Sequence, residues 1–390
     1  MAIFLILALN VIVFIGIAAA RIVFSLYSLN LGASAAGVGG VMAMMYALPV
    51  LLSWPIGVLS DRFHPTWLLA GGTAVGACGM LVPLFFPTLA SLYVASTLLG
   101  LTHALLVVIG QSVVGSLSQP HERTRNFSNY AMAGSVANFV GPLFAGFTID
   151  HFGYGMACAG ISIVLLSGVA CLLIWGKVLP RSEPKVRSSG NLLHTLADRR
   201  LRPMLVISTL AQLGNDIFQM FLPIYAHGVG VSASAIGFVL AAMAAGSFCV
   251  RIGMVHLTTW VNEKRLLAIA FYGAAAVLML VPLVTDTVIL AVLAFVFGTA
   301  QGCMMPLTLM LMFNSAEEGR VGEAIGLRVT ANNVARVVGP ALFGGLASLV
   351  GLLVVFWING VLLAWGGRMS DPGEHKKPPG TAPGESIKAG

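Results

Sequence analysis

Apolar runs of helical length follow one another along the chain, separated by short polar breaks. Twelve can be laid out: about 2–27, 38–59, 67–86, 89–114, 128–148 and 154–175, then 203–225, 235–256, 266–284, 288–313, 324–350 and 351–365. A helix that crosses a bilayer needs roughly 20 such residues. The pattern therefore predicts an all-α membrane protein of twelve transmembrane helices. One long polar, basic segment interrupts the series. From Lys177 to Arg202 it holds Lys177, Arg181, Lys185, Arg187, Arg199, Arg200 and Arg202 against Glu183 and Asp198. The spacing of Leu192, Leu193, Leu196 and Leu201 fits either a short amphipathic surface helix or a solvated linker with a few leucines.

The two flanks of this segment match at a constant offset of 198 residues. Tyr27, Gly32, Ser34 and Gly39 recur as Tyr225, Gly230, Ser232 and Gly237. Gly100 recurs as Gly298, Gly141-Pro142 as Gly339-Pro340, and Gly153 as Gly351. The chain thus divides into two homologous six-helix bundles, 1–176 and 203–368, joined by a cytoplasmic linker, 177–202. The polar, Pro/Gly-rich tail, 369–390, is expected to be disordered.

Charge tests the count. With the N-terminus in the cytoplasm, the cytoplasmic loops hold Arg62, Arg123, Arg125, the linker bases, Lys264, Arg265 and Arg320. The loops on the other side, 28–37, 86–89, 149–154, 226–235, 284–288 and 350–351, hold no Lys or Arg. This asymmetry predicts both termini inside. The chain is 58% hydrophobic and 9% charged, with a mean hydropathy of +0.93, too apolar for a soluble domain. The net charge of +7 sits in loops between apolar spans, a sign of topology rather than of nucleic-acid binding. Cys78, Cys158, Cys171, Cys249 and Cys303 fall inside apolar spans and are expected to pack rather than to pair or bind metal. Met1 leads straight into the first run, so that helix is expected to be retained.

Between the second and third spans stands Gly57-Val58-Leu59-Ser60-Asp61-Arg62-Phe63-His64. It resembles the G-x-L-a-D-R-x-G loop motif of the major facilitator superfamily of secondary transporters. The usual following bases are replaced here by His64, Pro65 and Thr66. The second-half counterpart, Arg251 to Arg265, is degenerate and lacks the Asp-Arg pair. In the fifth span, Ala137 to Gly146 with Gly141-Pro142 resembles the G-x-x-x-G-P-x-x-G-G signature associated with antiporters, notably drug exporters. Its copy in the eleventh span is Gly339-Pro340 with Gly344-Gly345. The resemblance implies gating roles for Gly57, Asp61, Arg62, Gly141, Pro142, Gly339 and Pro340. It also implies a central cavity lined by helices 1, 4, 7 and 10.

An ionisable side chain in hydrocarbon costs roughly 2.5–3.5 kcal/mol, so such residues tend to face a cavity. The candidates are Arg21, His103, Asp216 with Gln212, Asn215 and Gln219, Gln301, and Arg336 with Asn332 and Asn333. The offset sets His103 against Gln301 and Asn138 against Arg336. Arg21 and Asp216 differ in depth by about 4.5 Å on symmetry-related helices and are expected to pair across the cavity. Asp216 is the deepest acid in any span. Burial resists a carboxylate's charge and a neighbouring guanidinium restores it, which suits a group that binds and releases protons. His103 is the second proton-coupling candidate, because an imidazole titrates near neutrality. The alternatives are a permanent Asp216–Arg21 structural pair, a His103 bonded to a nearby carbonyl, and an Arg336 that gates rather than binds.

The expectation is a monomeric inner-membrane secondary transporter with protons and a small molecule as partners, no cofactor and no enzymatic activity. Efflux of small, largely apolar compounds by proton antiport leads. Uptake of a small metabolite or organic anion by symport, with Arg21 and Arg336 as anion partners, is the alternative. Met42, Met44 and Met45 and Met304, Met305, Met310 and Met312 fit cavity packing better than soft-metal transport. No phosphate-binding G-x-x-x-x-G-K-[ST] loop is present, which argues against direct use of ATP.

Overall fold

The computed structural model describes residues 2–119, 123–179, 201–315 and 321–371. The linker from 180 to 200 and the tail from 372 onward lie outside the described residues. The described chain forms α1 (Ala2–Asn30), α2 (Ala35–Arg62), α3 (Pro65–Phe85), α4 (Leu89–Leu117) and a 53-residue element, Arg123–Trp175. That element breaks at Gly153, whose φ of 80° and ψ of 173° are not helical. We label its two arms α5 (123–152) and α6 (154–175). A Cβ on Gly160 would sit 3.0 Å from the Phe144 ring, so α6 folds back along α5. The chain continues through α7 (Leu201–Gly228), α8 (Ala233–Trp260), α9 (Glu263–Leu280), α10 (Thr287–Ser315), α11 (Val321–Val350) and α12 (Leu352–Ser370). Eleven stretches, the broken element counting once, are long and apolar enough to cross a membrane.

The helix ends follow from local chemistry. Ser34 caps α2 by accepting from Gly37 N at 3.3 Å, and Ser232, 198 residues later, caps α8 by accepting from Ala235 N at 3.3 Å. Such a side chain satisfies an amide that has no partner within its own helix. His64 caps α3 through Nδ1, and Pro65 at the first helical position needs no amide partner. Helix α2 runs on through Gly57, Asp61 and Arg62, so most of the loop motif is the end of a helix; the side chains of Asp61 and Arg62 lie outside the described residues.

The repeat is structural. The positive-φ residues are Gly32, Gly153, Gly230 and Gly351, at φ of 80°, 80°, 87° and 91°, two pairs at the 198 offset. Tyr27 Oη donates to Pro83 O at 3.4 Å, and Tyr225 Oη to Val284 O at 3.1 Å. A Cβ on Gly100 would collide with the Met45 carbonyl oxygen, and one on Gly298 with that of Met243. Within each half, α1 packs on α5 and α6 as α7 packs on α11 and α12, and α2 on α4 as α8 on α10. The halves meet along α2–α11 and α5–α8.

The exterior is apolar. Phe4, Leu349 and Val288 are 73%, 85% and 70% exposed, on a surface that only lipid would cover without aggregation. Trp67, Trp175 and Trp260 stand exposed at helix ends, where amphipathic rings meet the headgroups. All five cysteines are free, and Cys158 and Cys303 are buried.

Gly153→Ala is expected to lower stability by about 1–2 kcal/mol. Nothing lies within 4 Å of its would-be Cβ, so only the left-handed backbone opposes the substitution. Gly71→Ala has the same open space inside a helix and is expected to raise stability by about 0.5–1 kcal/mol. Opposite shifts of thermal unfolding in detergent check the pair.

Candidate transport cavity

A cavity of about 430 Å³ lies between the two halves, within the range of small-molecule sites. It is lined by α1, α4, α5, α7, α8, α10 and α11. Its walls run from mid-helix toward the end of the bundle that carries the basic residues. At the other end the halves touch. A Cβ on Gly39 would strike the Pro340 carbonyl oxygen, and one on Gly237 that of Pro142. Gly344 would meet Gly39 Cα at 3.1 Å, and Gly146 would meet Ser234 Cα at 2.9 Å.

The Gly-Pro pairs of α5 and α11 link these contacts to the cavity. Gly141 abuts its own half, with Ala18 Cβ at 2.7 Å, while the neighbouring Pro142 carbonyl faces Gly237. Gly339 abuts Leu213 of its own half, while the Pro340 carbonyl faces Gly39. Proline has no N–H, so each one deprives the carbonyl four residues earlier of its helical donor. Those residues are Asn138 and Arg336, both in the cavity wall.

A polar chain crosses the cavity at the middle of the bundle. Arg21 Nη1 donates to Gln219 Oε1 at 2.9 Å. Gln219 Nε2 donates to Asn215 Oδ1 at 3.1 Å, and Asn215 Nδ2 to Asp216 Oδ1 at 3.3 Å. Gln212 Nε2 donates to Asp216 Oδ2 at 2.9 Å. Arg336 Nε lies 3.4 Å from Asp216 Oδ2, an ionic contact without hydrogen-bond geometry. The expected Arg21–Asp216 pair is therefore replaced by Arg336–Asp216. Arg21 and Gln219 are mates at the 198 offset, so they meet each other on the pseudo-two-fold axis, and Asp216 turns toward α11.

Between the two cations sits Tyr46 of α2. The guanidinium carbons of Arg21 and Arg336 lie 6.0 Å and 5.6 Å from its ring centroid. His103 packs edge-on against Phe14 and Tyr46, with centroids 5.6 Å and 6.1 Å apart. Its Nδ1 is buried without a hydrogen-bond partner, so the alternative of a carbonyl contact is not met at that nitrogen. Gln301, its repeat mate, donates to Ala211 O at 3.2 Å and leaves Oε1 unpaired.

Four further polar residues were absent from the candidates. Arg328 is buried in α11; its Nε donates to Ser208 at 2.7 Å and its Nη2 to Thr308 at 3.3 Å. Asn10 Nδ2 donates to Tyr130 O at 2.9 Å. Asn10 and Tyr130 stand 198 residues before Ser208 and Arg328, so one interhelical contact is built twice. Arg251, read from sequence as part of a degenerate loop, lies inside α8. It lines the cavity and donates to Ser135 Oγ across the halves at 2.7 Å. The lining is thus rich in polar groups, with three guanidiniums and one carboxylate among the described residues.

The model of the family described as Major Facilitator Superfamily matches residues 6–327, with a second match over 204–388. The chain belongs to this superfamily. The enterobactin exporter EntS of Escherichia coli O1:K1 / APEC is 24% identical over 310 residues, covering 75% of this chain and 73% of EntS. The uncharacterized MFS-type transporter YuxJ of Bacillus subtilis (strain 168) is 23% identical over 340 residues, covering 85% and 86%. A bacterial homolog of the human lysosomal transporter Spinster, in an inward-facing and occupied conformation, superposes with a TM-score of 0.76. It is 13% identical and covers 94% of this chain and 95% of its own. The superfamily member described here is a multi-pass membrane protein with the fold of transporters, not of enzymes.

Proposed function

We propose that this protein is a proton-coupled secondary transporter of the inner membrane, working as a monomer by alternating access. Twelve spans would leave both termini on one side, and the basic loops support the cytoplasm as that side. The cavity is then open inward and the glycine seal lies outside. The observation that carries the reading is the Asp216–Arg336 pair, a titratable ion pair in the cavity between the halves. Its two members, on α7 and α11 of one half, both face the cavity, so what enters as the cavity opens and closes acts on the pair and its proton. The superfamily contains an exporter among this chain's relatives, which supports an outward direction, and with Asp216 as the coupling group that direction means proton antiport. The guanidinium-rich lining supports a second reading, co-transport of an organic anion with a proton.

Everted membrane vesicles with an acid interior separate the two. A pH-sensitive dye follows the gradient while lipophilic cations, neutral drugs, organic acids and sugars are added. Antiport predicts that a cargo dissipates the gradient as protons leave. Co-transport predicts that a cargo carries protons inward with it. A panel that moves no protons defeats the coupled reading.

A further inference from the structure

We infer that the cavity takes a small organic anion, held by the guanidiniums of Arg21 and Arg336, and that the anion binds together with a proton. The inference rests on Asp216 as the coupling group, and of the two readings above it selects co-transport.

The argument begins with charge. Arg21, Arg251 and Arg336 line the cavity against Asp216 alone among the described residues. Unbalanced cations deep in a membrane are costly, and they focus field lines that draw in a counter-ion. Arg336 meets Asp216 only as an ionic contact at Nε, without hydrogen-bond geometry, and its side chain is 28% exposed in the cavity wall. Arg21 uses Nη1 on Gln219. What is left over is a set of guanidinium donors facing a wet cavity, the geometry that grips a carboxylate or a sulfonate. Phe14, Ala18 and Val107 of the same wall offer apolar contact for the body of the anion.

The sign of coupling follows. An anion on Arg336 competes with Asp216 for the same cation. The carboxylate that loses its partner gains most from a proton. Linkage is reciprocal, so a proton on Asp216 frees Arg336 and tightens the anion by the same factor. A cationic cargo would do the opposite, engaging Asp216 and expelling the proton. Among the described residues, the charged and titratable groups that share the cavity with Asp216 are Arg21 on α1, His103 on α4, Tyr130 on α5, Arg251 on α8 and Arg336 on α11, with Tyr46 on α2 in a small adjoining void. None is a second carboxylate that could take its place.

The test is binding to the purified full-length protein in nanodiscs, by calorimetry, with benzoate, benzenesulfonate and succinate as probes. Benzamide and tetraphenylphosphonium serve as the neutral and cationic controls. At least one anion is expected to bind, with affinity rising by up to about tenfold for each unit of falling pH, the limit for one linked proton. Asp216→Asn should bind the same anion without that pH dependence. Arg336→Gln and Arg21→Gln should each weaken it by at least about tenfold. Arg336→Lys, which keeps a cation, should recover part of the loss. Arg21→Gln does not touch the ion pair, so it tests the site even if the Arg336 variant misfolds.

Binding of the cation or the amide as tightly as every anion overturns the inference, as does full anion affinity in both Arg variants. Anion binding that ignores pH in the wild type leaves the anion site standing and defeats Asp216 as the coupling group. Proton movement with a cationic cargo in vesicles, without anion binding, does the reverse.

Discussion

Asp216→Asn is expected to abolish proton movement while leaving the folded protein and its cavity intact. The amide keeps the shape of the carboxylate and can still accept from Gln212, which donates to Oδ2 at 2.9 Å in the native protein. What disappears is the charge that Arg336 faces at 3.4 Å. Arg336 is 28% exposed at the cavity, so water can solvate the cation left behind and the loss of stability should be modest. Coupling has no such substitute. An amide takes up no proton, and an α7–α11 pair that cannot change its charge cannot link conformation to pH. Proteoliposomes with an internal pH dye, run with a cargo that moves protons in the wild type, should show no proton flux. Cargo exchange between identical internal and external pools should persist. Full coupling in the variant would move the proton to His103, whose buried Nδ1 has no hydrogen-bond partner.

The fold was largely legible in the sequence because its signals are physical and repeated. Apolar length sets each span, and Gly32 and Gly230 mark equivalent turns by their need for positive φ. The side of the cavity was legible too. Arg21, His103, Asn215, Asp216, Gln219, Gln301 and Arg336 all reach its wall. Which residue pairs with which was not. Depth along a helix says nothing about rotation around it, so Arg21 and Asp216 looked like partners although each faces elsewhere. The 198 offset held the better clue, because it maps Arg21 onto Gln219 and predicts their meeting on the axis. Applied to Tyr130 it also leads to Arg328, four residues inside the span that begins near 324. Arg251 was read instead as the start of the degenerate second loop. Its α8 continues two further turns past it, to Trp260, and brings the guanidinium into the cavity rather than the loop.

A valine at Gly39 or Gly237 is expected to hold the outer side open. Each glycine lies where the two halves cross, and a Cβ there strikes a backbone carbonyl of the other half. Backbone cannot rotate away as a side chain can, so the helices must part. Overpacking of this kind typically costs about 1–3 kcal/mol, roughly a ten- to hundredfold shift against the closed seal. The cost falls only on the conformation in which α2 meets α11 and α5 meets α8. A second, chemical clasp stands beside each contact. Asp150 of α5 accepts from Ala233 N at 3.1 Å and Ser234 N at 2.7 Å, capping α8 from the opposite half. Ser348, its mate at the 198 offset, accepts from Ala36 N of α2 at 3.0 Å. The first clasp sets a carboxylate on a helix N-terminus and the second only a hydroxyl, so the α5–α8 side should be the stronger. Asp150→Asn should therefore open the seal in the same sense as Gly237→Val, and Ser348→Asp should tighten it. A cysteine placed at Asn138 in the cavity wall, in a background free of other cysteines, reads the result in right-side-out vesicles. A thiol reagent that cannot cross the membrane should label it at least about tenfold faster in the Gly237→Val and Asp150→Asn variants and more slowly in Ser348→Asp. Equal rates in all of them would mean that neither the glycine crossing nor the carboxylate clasp decides which way the cavity faces.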